Sequence, residues 1–248
     1  MKTSYSAPAI HTGPVPTSRA HIPGLDYYGE CRPARETAWD FFEFLPIHRT
    51  SLVCSLGRIT GQGSSAAFTM ASMQAFLRNL TRHHRGSFAG VVRDLNRLVY
   101  EISPDSFHAS LFYAWIDPER GQLQYVSAGH GPVLLIRPGE RRIRRLEHTG
   151  AVLGLSLRVE FRQRAIDMHP GDLLLAMTDG VADTVREEEI CEHLCRRPGA
   201  RPVDIVGAVL DSARGAEDRT ALAVRLQARA EDRMFESEAL EELACSAA

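Results

Sequence analysis

Lysine is all but missing from this 248-residue chain: Lys2 stands alone among 29 basic side chains, and the rest are arginine. Arginine does not titrate away and forks onto carboxylates and phosphates, so any positive cluster here is permanently charged. Cysteine is also sparse. Cys31, Cys54, Cys191, Cys195 and Cys245 are odd in number and scattered, which excludes a disulfide framework and predicts a reducing compartment. Cys191, His193 and Cys195 lie close together, but no second ligand pair follows at zinc-like spacing, so they read as one face of a helix. No apolar run approaches bilayer length, and the first residues lack the charged-then-apolar pattern of a signal peptide. A cytoplasmic protein is therefore predicted. The formal net charge is only −2, which excludes a global attraction to nucleic acid.

Hydrophobic residues make up 44% of the chain and charged residues 24%, a globular profile with enough length for one sizeable core. Residues 1–20 are rich in Pro, Ser and Thr without periodicity and read as a flexible arm. The ordered pattern runs over residues 21–227. Residues 228–248 form an acidic tail with a weak apolar stripe at Phe235, Leu240 and Leu243, either a docking helix or a frayed end.

Within 21–227, Leu52-Val53-Cys54 reads as a short buried strand that ends in a glycine-punctuated turn, Gly57 to Gly63. Ala66, Met70, Met73, Leu77 and Leu80 then recur at spacings of 4 and 3, which predicts a helix with Met70 and Met73 in its core face. Phe88, Val91, Val92, Leu95, Leu98, Val99 and Ile102 predict a second helix, paired with the first on a sheet. From Phe107 the period becomes 2, through Ala109, Leu111, Tyr113 and Trp115. Asp117-Pro-Glu-Arg-Gly121 turns the chain into a return strand at Leu123, Tyr125 and Ser127. Further strands are predicted at 133–136, 161–166, 172–177 and 221–226. Helices are predicted at 184–197 and 202–213, with Pro202 in a first turn. Hairpins with helices inserted in pairs predict an α+β fold of antiparallel sheets covered by helices.

Several blocks, in order, resemble the bacterial SpoIIE/RsbU-like branch of the PPM (PP2C-like) protein serine/threonine phosphatases. His21-Ile-Pro-Gly-Leu-Asp with Cys31-Arg-Pro-Ala-Arg-Glu resembles the opening of that domain. Glu36-Thr-Ala-Trp-Asp-Phe-Phe-Glu resembles its "E-V-G-G-D-F-Y-D" strand. Gly57 to Gly63 with Ser64-Ser-Ala-Ala resembles "G-D-V-S-G-H-G-x-x-A-A". Ser110-Leu-Phe-Tyr, Ala128-Gly-His-Gly-Pro and Gly150-Ala-Val-Leu-Gly-Leu resemble three further blocks. Pro170-Gly-Asp through Thr178-Asp-Gly180 resembles "P-G-D-x-L-L-L-Y-T-D-G", and Glu217-Asp-Arg-Thr resembles the closing "D-D-x-T". The resemblance covers roughly residues 21–227. It implies a four-layer α-β-β-α sandwich of two antiparallel sheets flanked by helical pairs, and an acidic metal site at one end.

The activity implied is hydrolysis of phosphoserine or phosphothreonine on a signalling protein, of the anti-sigma-factor antagonist type. That chemistry uses two Mn²⁺ or Mg²⁺ ions, about 3.5–4 Å apart, to clamp phosphoryl oxygens and acidify a bridging water. Such ions take carboxylate oxygens. Carried over by position, Asp40, Asp179, Glu217 and Asp218 are the metal-ligand candidates, with Glu43 near Asp40. Gly57, Gly61, Gly63 and Gly180 keep the glycine turns. Ala38 and Trp39 replace two glycines, and Gln62 replaces a histidine or lysine. The position that bridges both metals in the family is Arg58. At about 4 Å two unit charges of one sign repel by about 4 kcal/mol at an effective dielectric of 20, and a divalent ion doubles this. No acidic residue lies between Ile47 and Gly63, so a shifted alignment restores no ligand.

Two readings follow. In one, the remaining carboxylates hold at least one metal and weak hydrolysis persists. In the other, Arg58 fills the metal position, pairs with Asp179 and Asp40, and leaves a silent pseudophosphatase or interaction module able to contact phosphate through Arg58. Elsewhere, Arg137, Arg141, Arg142, Arg144 and Arg145 read as a solvated hairpin rim. His130 reads as a structural histidine. The glycine loop lacks the Lys-Ser/Thr of a nucleotide P-loop.

Overall fold

The computed structural model describes residues 21–34, 39–47, 49–61, 63–83, 87–103, 107–137, 143–197 and 199–227. The arm 1–20, the tail 228–248, Glu36 to Ala38, Gln62, Arg141, Arg142 and Cys245 lie outside them.

Two five-stranded antiparallel sheets face each other. The first has the order β1 (Leu25–Arg32), β10 (Arg219–Leu226), β9 (Leu173–Met177), β6 (Val133–Ile136), β7 (Ile143–Arg145). The second runs β2 (Asp40–Ile47), β3 (Ser51–Ile59), β4 (Ala109–Asp117), β5 (Gln122–Ala128), β8 (Arg164–Asp167). Helices α1 (Gly63–His83) and α2 (Phe88–Ile102) cover the second sheet, and α4 (Glu187–Arg196) and α5 (Pro202–Ser212) cover the first. A single turn, α3 (Asp179–Ala182), follows β9. The four-layer α-β-β-α sandwich is thus present.

Alternation along the strands builds three apolar layers. On β4, Phe112, Ala114 and Ile116 face the other sheet, where they meet Leu174, Leu222 and Val224. The intervening Ala109, Leu111 and Tyr113 lie under α1 and α2 with Met70, Met73, Leu77 and Val92. Leu175, Ala221 and Ala223 turn outward against Ile205, Val206 and Leu210 of α5. Both faces of the central strands are therefore buried. Pro202 opens α5, where its missing N–H costs nothing. No helix among the described residues is long and apolar enough to cross a membrane.

Two boundaries differ from the sequence reading. The stretch from Gly57 does not turn: β3 continues through Gly57 and Arg58, each paired on both sides, to Ile59, which pairs with Ala109 and donates its backbone N–H to Trp39. Gly57 serves close packing, because a Cβ there would sit 2.5 Å from the Phe41 ring. Strand β3 ends at Ile59 and α1 begins at Gly63, and a Cβ on Gly61 would meet the Phe107 ring at 2.9 Å. The strand predicted at 161–166 is β8 at 164–167. Before it, Arg162 donates its backbone N–H to Thr149 and Phe161 packs over Gly150, so that stretch joins the core rather than the ladder.

Candidate functional site

The site lies where the two sheets end together. Antiparallel register aligns Asp40 of β2, Arg58 of β3 and Ser110 of β4 in one row. All three project toward the other sheet, sharing the face of Phe42, Leu56 and Phe112. Across the gap stand Thr178, just after β9, and Thr220, near the start of β10.

Asp40 is 1% exposed. Its Oδ2 accepts hydrogen bonds from the hydroxyls of Thr178 at 2.8 Å and Thr220 at 2.9 Å. Its Oδ1 lies 3.5 Å from Arg58 Nη1. Burial pushes the Asp40 carboxyl up to about 7, against the lowering influence of Arg58 and the two threonines. Removal from water costs an ionised carboxylate more than these partners return. Asp40 thus ties one sheet to the other.

Arg58 is the hub. Its Nη2 donates to Glu217 Oε2 at 2.6 Å, a short charge-assisted bond. Glu217 belongs to the segment leading into β10 and is more than half exposed at the rim. The pairing expected between Arg58 and Asp179 is corrected: among the described residues Asp179 makes no ion pair, and Glu217 takes that place with Asp40. Asp179 is exposed at the first position of α3. Gly131 leaves room for it, since a Cβ there would come within 2.6 Å of Asp179 Oδ1.

Asp218 does something else. Its Oδ1 accepts the backbone N–H of Ala34 at 2.8 Å and its Oδ2 that of Trp39 at 2.7 Å. Both oxygens therefore hold the connection between β1 and β2. Gly180 fits beneath this segment because any Cβ would collide with the Asp218 carbonyl. Of the other positions named from the sequence, Gly57 and Gly61 shape the approach to the row and Gly63 begins α1. Glu43 is not in the site. It is buried facing α1 and pairs with Arg78, on the opposite face of β2 from Asp40.

Sequence reasoning missed three contributors. Thr178 and Thr220 are the threonines of "T-D-G" and of the closing motif, and their place beside the acidic positions was the available signal. Ser110 hydrogen-bonds its Oγ with His130 Nδ1 at 3.2 Å. Burial pushes His130 down to about 3, so it stays neutral as a structural partner at the inner wall. Cys31, paired in register with Thr220, lies at the same end, and burial raises its thiol to about 12, which leaves it unreactive.

These donors do not fit a two-metal centre. Asp40 is committed to two hydroxyls and Arg58, Asp218 to two amides, and Glu217 to Arg58. Of these four, only Asp179 has a carboxylate without a partner among the described residues. Among the described residues, no group of three or more His, Cys, Asp or Glu side chains is gathered closely enough to hold a metal ion. The Arg58 guanidinium lies between Asp40 and Glu217, so the arrangement pairs its charges internally.

Residues 48–227 match the family model for stage II sporulation protein E (SpoIIE). The phosphoserine phosphatase RsbU of Bacillus subtilis is 27% identical over 163 residues, covering 65% of this chain and 48% of RsbU. The structure of the RsbU and RsbW domains of Rv1364c from Mycobacterium tuberculosis superposes with a TM-score of 0.71 at 26% identity, over 84% of this chain and 63% of that one. The catalytic domain of the serine/threonine phosphatase PstP, from the same organism and solved with 2 manganese ions, superposes with a TM-score of 0.66 at 16% identity, over 82% of this chain and 99% of that one. The chain thus spans about half the length of RsbU.

Proposed function

Because the chain belongs to the SpoIIE family of PP2C-type phosphatase domains, we propose that it is a phosphatase domain of bacterial phosphoprotein signalling whose hydrolytic activity is weak or absent. The single observation carrying this reading is the placement of Arg58, bonded to Glu217 at 2.6 Å and beside Asp40 at 3.5 Å. A cation fixed there neutralises the carboxylates that Mn²⁺ or Mg²⁺ would need and repels a divalent ion directly. What remains is a rim with one exchangeable ion pair, Arg58 with Glu217. Arginine forks readily onto phosphate oxygens, so binding of a phosphorylated signalling protein without turnover is the second reading. The phosphoserine class of ligand is taken from the B. subtilis relative's name.

The test is hydrolysis of a phosphoserine peptide and of an aryl phosphate, with Mn²⁺ titrated, by wild type and Arg58→Asp. Wild type is expected to show no Mn²⁺-dependent turnover. Arg58→Asp, which returns a carboxylate beside Asp40 and Glu217, is expected to exceed it. Equal metal-dependent turnover by the two proteins would overturn the proposal. Saturable phosphopeptide binding by the inactive wild type, lost in Arg58→Met, would support the second reading.

A further inference from the structure

Among the described residues, three of the four large apolar side chains that stand more than a third exposed, Tyr100, Leu155 and Leu157, gather on one flank of α2. The joint is Asn96, which is 1% exposed. Its Nδ2 donates to the Ser156 carbonyl at 3.0 Å, and its Oδ1 accepts the Gly154 N–H at 2.9 Å. Gly154 also presses on Val99, where a Cβ would lie 2.8 Å from Cγ1. The 154–156 segment is therefore fixed along α2. Residues three and four apart on a helix are neighbours, so Arg93 and Tyr100 stand on the Asn96 side of the helix, and Arg97 stands next to Tyr100. All three are exposed, as is Arg158. None of Arg93, Arg97 and Arg158 forms an ion pair among the described residues. The flank is thus apolar and positively charged, and rigidly held.

We propose that this flank is the docking surface for the acidic C-terminal segment of the same chain, centred on residues 231–243. That segment carries the complementary chemistry. Residues 228–248 contain six acidic side chains against two arginines, with Phe235, Leu240 and Leu243 as apolar anchors and Glu236, Glu238, Glu241 and Glu242 among them. Its point of departure suits the path. Gln227, the last described residue, donates its backbone N–H to Gly24 at 2.8 Å, at the end of the sandwich away from Arg58. Helix α2 starts at that same end, with Phe88 stacked on Trp115, and runs toward the Arg58 end. From Gln227 to Phe235 an extended chain covers roughly 27 Å. Two packed layers span about 20 Å at the ~10 Å spacing of facing sheets, so Phe235 reaches the α2 layer and the following residues run along it. Docking would cover three exposed apolar side chains and pair three arginines that form no ion pair among the described residues, without involving the Arg58 site.

Amide hydrogen exchange on the full chain tests this. Phe235→Asp/Leu240→Asp/Leu243→Asp is expected to speed exchange at 155–158 by about 10-fold, as for loss of a local covering contact. Arg93→Glu/Arg97→Glu is expected to do the same, and 1 M salt to reproduce part of the effect in wild type. Adding Glu236→Arg/Glu238→Arg to the arginine variant is expected to restore slow exchange, a rescue that a merely structural role of either arginine would not give. Arg93 and Arg97 are at the surface and the tail positions lie outside the described residues, and thermal melts by circular dichroism confirm that each variant is folded. Unchanged exchange at 155–158 in the tail variant would overturn the proposal. So would protection that grows with protein concentration, since it would place the segment of a second copy, or another partner, on this flank.

Discussion

Asp40 and His130 sit a few residues apart in space and respond to pH in opposite senses. Asp40 rises from its ordinary 3.8 to about 7 because it is buried. Between those values the folded chain keeps a proton that the unfolded chain releases, so the stability tied to Asp40 is full below about 4 and is lost as pH rises toward 7. His130 falls from 6.5 to about 3, again through burial, with His148 adding to the effect. Its contribution is full above 6.5 and is lost as pH drops toward 3. Asp40→Asn keeps an acceptor for Thr178 and Thr220 but removes the titration. Urea midpoints are therefore expected to show Asp40→Asn gaining on wild type steadily from pH 4 to pH 8. A difference that does not change with pH would mean that Asp40 is ionised throughout. His130→Gln is expected to flatten the acid limb instead.

Among the elements, the 154–156 segment and α2 depend on one side chain. Asn96 satisfies one backbone donor and one backbone acceptor at a place closed to water. Asn96→Leu fills similar volume but leaves both groups without partners. Each orphaned group costs about 1–3 kcal/mol, so the variant is expected to lose about 2–6 kcal/mol in urea denaturation. A loss below about 0.5 kcal/mol, within the ordinary surface range, would show that water replaces both bonds. The lone Asn within the apolar stripe of α2 was visible in the sequence, but its partners lie about sixty positions away and no local pattern announces them. Gly57 gives a similar lesson: as part of a glycine-punctuated run it read as a turn, whereas its pairing with Phe41 and Leu111 keeps it extended.

For the molecule as a whole, protein groups tie the two sheets together at the Arg58 end. Asp40 reaches Thr178 and Thr220, Arg58 reaches Glu217, and Asp218 reaches Ala34 and Trp39. Stability should then be indifferent to metal. Millimolar Mn²⁺ or a chelator is expected to leave the wild-type melting temperature unchanged. A ligand at a hundred times its Kd would add about 2.7 kcal/mol, a rise of roughly 5–11 °C for a domain of this size. Such a rise in wild type would reveal a metal site. In Arg58→Asp it would show how much of the site one residue had closed.

The sequence alone determined the layered fold, because periodicities of 2 and 3.6 follow from which faces are buried, and ordered motif blocks carry that pattern along the chain. From it also came the expectation, carried by the family resemblance, that Arg58 stands at the position of a bridging carboxylate. It could not decide what Arg58 touches. Asp40 is adjacent by strand register, but Glu217 is 159 residues away, and its choice over Asp179 depends on how the segment before β10 is held by Asp218. Nor could it show that Thr178 and Thr220 meet on one carboxylate, which requires the two sheets to face each other. Ion pairs and hydrogen bonds act over a few ångströms, so their partners are decided by packing and not by order along the chain.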